Sequence, residues 1–161
     1  MKQSAFLLFA TVLLGSCIKD QNTTSIHPSS FVFGYCAPCP DNMVPPGKCF
    51  MFYEIKGNEV YADSMRMSRY PEPEVFSVVP LGTSKYQAAS TLINNFPVYL
   101  LNNPNTTYGN TDCDTHWTLH IEYTENGQVK TWDISHDTAS QPTAIRAYVA
   151  QMDSVFNLLM Q

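Results

Sequence analysis

The chain has 161 residues and a formal net charge of −5 at pH 7; 12% of its residues are aromatic and 14% are charged. High aromatic content and few charges predict a globular chain with a hydrophobic core and exclude a disordered one. Because the chain is mildly acidic and has no cluster of basic residues, it lacks an electrostatic surface for nucleic acid, and we expect no nucleic-acid partner.

The N-terminus has the pattern of a secretory signal. Lys2 precedes an apolar stretch over residues 5–14, interrupted by a single threonine and too short to span a bilayer as a permanent helix. The Leu-Gly-Ser-Cys sequence ending at Cys17 resembles the lipobox of bacterial lipoproteins. The resemblance implies a signal peptide over residues 1–16 and a lipidated, palmitate-carrying Cys17 as the first mature residue. It also implies attachment to a membrane of the bacterial cell envelope, with the outer membrane favoured, facing the periplasm or the cell surface.

Residues 17–29 are polar and turn-rich, which predicts a flexible tether between the lipid and a single α+β domain over residues 30–161. That domain keeps four cysteines, and an oxidising compartment predicts that all four are in disulfides: Cys36, Cys39, Cys49 and Cys113. Sequence does not separate the three pairings, although we favour a bridge from the 36–39 turn to Cys113.

Two alternatives for these cysteines remain open. Four thiolates would also suit zinc, but a second close Cys pair is missing. The Cys36-Ala-Pro-Cys39 stretch resembles the active-site motif of thioredoxin, whose first Cys needs a helix N-terminus. The prolines that follow oppose such a helix.

The first predicted elements are strands. Ser30–Tyr35 predicts a first strand, and Phe50–Lys56 with Glu59–Met65 predicts a hairpin across a Gly-Asn turn. In that register Ile55 lies opposite Val60.

Residues 116–135 predict a second hairpin around an Asn-Gly pair that suits a type I′ turn. Its register sets Ile121 opposite Trp132 and places Trp117 on the same apolar face.

Two helices are predicted, one after each hairpin. A capping box at Ser84 and Gln87 begins a helix over 84–96, and a helix over 141–160 ends the chain. One apolar stripe marks the second helix: Ile145, Tyr148, Val149, Met152, Val155, Phe156 and Leu159. The order ββαββα predicts an α+β fold, an antiparallel sheet built from two β-hairpins with both helices packed on one face.

The second hairpin also carries a candidate metal or hydrolytic site. Its register places His120 opposite Asp133 and His116 opposite Asp137, on the face away from the tryptophans. Cross-strand His–carboxylate pairs bind metals or orient an imidazole as a base. The alternative is a solvated strand face on which charged residues alternate.

Two further surfaces follow from the sequence. Phe50, Phe52 and Tyr61 fall on the outward face of the first hairpin, as a candidate partner surface unless the first strand segment covers them. Ser64 and Thr138 each follow an Asp and precede an apolar residue, a pattern that resembles glycosylation sites on extracytoplasmic proteins of Bacteroidota.

The sequence has no catalytic motif of the common hydrolase, phosphate-binding or metalloprotease types. We therefore expect a non-catalytic binding or interaction module with no cofactor, whose partners are the membrane and a protein or glycan. The alternatives are a metal-binding or hydrolytic protein using the His/Asp face and, less favoured, a dithiol redox protein using Cys36 and Cys39.

Overall fold

The computed structural model describes residues 27–38, 48–63 and 75–161. This part of the chain forms a mixed α/β structure with six strands and three helices: β1 Ser30–Pro38, β2 Lys48–Lys56, β3 Glu59–Ala62, α1 Thr83–Asn94, α2 Val98–Asn102, β4 Thr106–Tyr108, β5 Thr118–Glu125, β6 Gln128–Ser135 and α3 Thr143–Leu159.

The strands form one sheet in the order β3-β2-β1-β5-β6-β4. The first strand lies in the middle, antiparallel to both β2 and β5, so it joins the two predicted hairpins. The short strand β4 pairs parallel to β6, which makes the sheet mixed. The predicted two-hairpin antiparallel sheet in ββαββα order is therefore wrong. It missed the central place of β1, which depends on pairing with distant strands, and the short elements α2 and β4, which are too brief for a periodic signal.

Both predicted hairpins are present. Ile55 pairs with Val60 and Ile121 with Trp132, as expected. At the second turn both residues have positive φ, 52° for Asn126 and 76° for Gly127, as a type I′ turn requires.

The core lies on one face of the sheet. Alternate residues of β1, β5 and β6 are fully buried there, including Phe33, Ile121 and Trp132. The seven apolar residues predicted as the α3 stripe are all buried in the same cluster, which confirms the stripe. Buried residues of α1 and α2 join them, so the three described helices pack on this face.

The predicted capping box is wrong. Helix α1 begins at Thr83 after Gly82, and no side chain caps it. Gly82 has a φ of 97°, a left-handed conformation that only glycine adopts without strain.

The opposite face of the sheet carries a second, smaller cluster. Phe50 and Phe52 are 1% and 2% exposed and pack with Val32 and Cys36, with Phe76 against them. Of the two alternatives left by the sequence, cover by the first strand segment therefore holds for these two residues, and the chain around Phe76 adds to that cover. The third predicted residue, Tyr61, is partly buried, and its hydroxyl donates a hydrogen bond to the Glu59 carboxylate.

Candidate functional site

An open cleft of about 470 Å³ lies between α3 and one end of the sheet. Its walls come from β1, β2, α3 and the residues that flank β5 and β6. We call it the aromatic cleft. It is lined by three aromatic, three polar and two thioether side chains: Tyr35, Trp117, Phe156, His136, Asp153, Asn157, Met51 and Met160.

The Asp153 carboxylate is the polar centre of the aromatic cleft. Oδ1 accepts a hydrogen bond from the Tyr35 hydroxyl, and Oδ2 lies 3.4 Å from Nε2 of His136. Burial of Tyr35 and its bond to Asp153 raise the pKa of the hydroxyl well above its ordinary value of 10.0. Tyr35 therefore remains a protonated donor, and the carboxylate is held in one orientation between two partners.

Trp117 lies at the mouth of the aromatic cleft with 51% of its surface exposed. Its ring centroid is 6.1 Å from that of Tyr35, and its carbonyl accepts the His136 N–H at 2.9 Å. Trp117 lies on the predicted face, beside Tyr35, but it is half exposed rather than buried. The ladder of β5 and β6 ends at Thr118 and Ser135, and the bond from the His136 N–H to the Trp117 carbonyl extends it by one position, so Trp117 lies at the open end of the sheet.

Sequence reasoning missed this site because its parts are far apart in the chain. Tyr35 and Asp153 are 118 positions apart. One signal was present in α3, where Asp153, Asn157 and Met160 follow each other at spacings of four and three, along the edge of the buried stripe. Residues at these spacings lie on one side of a helix, here the side next to the buried stripe.

The face opposite the core holds a buried histidine. His120 is 4% exposed; its Nδ1 lies 2.7 Å from Asp133 and its Nε2 lies 3.3 Å from Glu122. Burial alone lowers the pKa of His120, but the hydrogen bonds and charges of the two carboxylates outweigh it and raise the pKa to about 9. At neutral pH both ring nitrogens therefore donate protons, which leaves no lone pair for a metal or for general-base chemistry.

A small cavity of about 200 Å³ adjoins His120. The hydroxyl of Thr118 lines it, is buried, and has no hydrogen-bond partner among the described residues. Asp112 and Cys113, from the loop before β5, also line it.

Of the four predicted metal ligands, the structure brings together His120 and Asp133. His116 lies in the loop before β5, with its Nδ1 3.2 Å from the Asn110 amide. Asp137 accepts a backbone N–H two residues further along its own turn. In the described ranges, no group of three or more His, Cys, Asp or Glu residues is arranged to hold a metal ion.

Cys36 and Cys113 lie at disulfide distance, with Cα atoms 5.5 Å apart, which is consistent with the favoured bridge to Cys113. Cys36 lies within β1, so it does not occupy the helix N-terminus that thioredoxin-like chemistry requires. Cys39 and the side chain of Cys49 lie outside the described residues.

The remaining predicted residues differ in what the structure describes. Thr138 is exposed in the turn between β6 and α3. The predicted signal segment, Cys17, residues 17–26 of the predicted tether and Ser64 lie outside the described residues. Within the described part, no helix is both long and apolar enough to cross a membrane.

No protein-family model matches the chain, and no curated protein matches its sequence.

Proposed function

We propose that the protein is a lipid-anchored binding module of the bacterial cell envelope, and that the aromatic cleft is its ligand site. The role is non-catalytic: the module presents the cleft outside the cytoplasm, on a tether over residues 17–29, to a protein or glycan partner. The anchor is supported by the lipobox at Cys17, and the ligand site by the chemistry of the cleft.

The exposure of Trp117 is the observation that carries the proposal. A half-exposed indole beside a concave surface is unfavourable in water, and tryptophan is the residue that most often dominates binding energies. Behind it the oriented Asp153, His136 and Asn157 supply a few convergent polar groups. An aromatic wall with a small number of placed polar groups is typical of ligand sites.

The binding test uses the tryptophans as reporters. The chain has two, and Trp132 is 1% exposed, so acrylamide quenching of the full-length protein in detergent reports mainly on Trp117. Envelope extract is expected to protect Trp117 from quenching. In a sedimentation assay, Trp117→Ala should lose the bound material, whereas Val129→Ala, a matched exposed apolar position on β6, should retain it. Absence of protection by any extract fraction contradicts the proposed ligand site.

The anchor has its own test. Cys17→Ser protein is expected in the soluble fraction, and mass spectrometry of the wild type should find acyl chains on Cys17. Membrane retention of Cys17→Ser protein contradicts the anchor.

A second candidate function is a hydrolytic or metal site at His120, favoured by the 2.7 Å pair with Asp133 beside the buried Thr118 hydroxyl. The raised pKa of His120 weighs against it, because a protonated imidazole neither accepts a proton nor binds a metal. Stoichiometric metal in purified protein, lost in His120→Gln, would favour this candidate over the binding module.

A further inference from the structure

We infer that the ligand of the aromatic cleft is a neutral saccharide; this rests on the proposed binding function and names its ligand class. The inference comes from the charge balance of the cleft and from the pairing of an open indole face with fixed hydrogen-bonding groups.

The charges in the cleft favour a neutral ligand. Apart from the protonated Tyr35, the lining has two titratable side chains, His136 and Asp153. Their nearest nitrogen and oxygen atoms are 3.4 Å apart. A carboxylate that already holds Tyr35 and His136 does not need a cationic ligand to balance it. An anionic ligand would meet the Asp153 carboxylate in a protein of net charge −5.

The hydrogen-bonding groups suit hydroxyls, which both donate and accept. Asp153 accepts, His136 has a ring N–H, and the amide of Asn157 offers both donors and an acceptor. Asn157 is exposed, and its side chain makes no hydrogen bond within the described ranges. The Asn157 amide is therefore available to a ligand, and the Asp153 carboxylate keeps acceptor capacity beyond its contacts with Tyr35 and His136.

The indole completes the match. A sugar ring has an apolar face of C–H groups and an edge of hydroxyls, so it can stack on Trp117 while its edge reaches the polar wall. Met51 and Met160 also line a second cavity of about 370 Å³, which therefore adjoins the aromatic cleft. The appropriate probes are therefore oligosaccharides rather than single sugars.

The experiment uses full-length protein in detergent and two neutral probes. The first is a panel of hexasaccharides of glucose, mannose, xylose and N-acetylglucosamine; the second is the neutral polysaccharide fraction of bacterial envelopes. Oligogalacturonate, oligolysine and a mixed hexapeptide serve as anionic, cationic and peptide probes. Acrylamide quenching of Trp117 and calorimetry measure binding.

A neutral saccharide is expected to protect Trp117, with binding weakened about tenfold or more in Trp117→Ala. Asp153→Asn should also weaken binding, because the amide donates where the carboxylate accepts, while thermal unfolding and circular dichroism check that the variant is folded. Val129→Ala should bind as the wild type does.

The outcomes separate the inference from the proposed function. Two results overturn the neutral saccharide and leave the cleft as a ligand site. The first is protection by only the charged or peptide probes, and the second is protection by an envelope fraction whose activity is destroyed by protease but not by periodate. Failure of every probe and every envelope fraction overturns both.

Discussion

The buried His120 makes the stability of this protein depend on pH in a defined direction. Its pKa is raised from the ordinary value of 6.5 to about 9 in the folded state. The folded protein therefore holds a proton that the unfolded chain releases between these two values. When folding raises the pKa of a group, its protonation stabilises the folded state. This stabilisation is complete at a pH below the pKa in the unfolded chain and is lost as the pH rises through the pKa in the folded state. We expect the free energy of unfolding to fall as the pH rises from 6.5 to 9.

The size of the effect follows from the contacts of the imidazole. Each pKa unit corresponds to about 1.4 kcal/mol, so the difference between the folded and unfolded pKa values of His120 corresponds to roughly 3 kcal/mol of stability. The side chains of Asp133 and Glu122 are 33% and 35% exposed, so water screens part of their interaction with His120. We therefore expect a measured loss of about 2 kcal/mol over this pH range. The Phe52 ring, 5.7 Å from the imidazole, covers the group on the β2 side. Asp112 also lines the cavity beside His120.

The assay is urea unfolding at several pH values between 6 and 9.5, with His120→Gln as the test variant and His116→Gln, an exposed loop histidine, as the control. The difference between wild type and His120→Gln should shrink as the pH rises, whereas His116→Gln should follow the wild type. NMR titration of the imidazole gives the pKa directly. Equal pH dependence in wild type and His120→Gln, or an imidazole that titrates near 6.5, would refute the reasoning.

Three further predictions concern stability. Cys113→Ser should lower the free energy of unfolding by about 4 kcal/mol, because the bridge to Cys36 closes a loop of 77 positions. Non-reducing peptide mapping and chemical denaturation test this, and unchanged stability together with free thiols in the wild type would argue against the bridge. Gly34→Ala should destabilise the protein by about 3 kcal/mol or prevent folding, because a Cβ there collides with the Met51 carbonyl of the neighbouring strand. A variant that melts at the same temperature as the wild type would contradict that packing. Thr118→Val should be neutral or stabilise by about 1 kcal/mol, because it removes a buried hydroxyl without a partner among the described residues; clear destabilisation would show that the hydroxyl has a partner in solution.

Local sequence patterns were sufficient for some of the fold. The apolar stripe of α3 has the helical period, and all seven predicted residues are buried. The Asn-Gly pair fixes the turn between β5 and β6, because both residues adopt positive φ, and the turn then sets the register down to His120 and Asp133. These features depend on neighbours within a few residues, so the sequence alone determines them.

The same patterns did not determine what covers each face. His120 was correctly placed opposite Asp133, yet its burial, and so its raised pKa, depends on the loop that carries Cys113 and on Phe52 from another strand. The burial of Phe50 depends in the same way on β1, which pairs between the two hairpins.

The aromatic cleft was decided entirely by the tertiary structure. Tyr35 comes from the central strand, Trp117 from just before β5, His136 from just after β6 and Asp153 from α3. None of the four has a sequence neighbour that predicts the others. The alternation along β5 places Trp117 on the apolar face but does not show that the sheet ends there and leaves the indole half exposed. Periodicity reports which side of an element is apolar; it does not report where a ladder stops or which distant elements meet, because those depend on long-range pairing and packing.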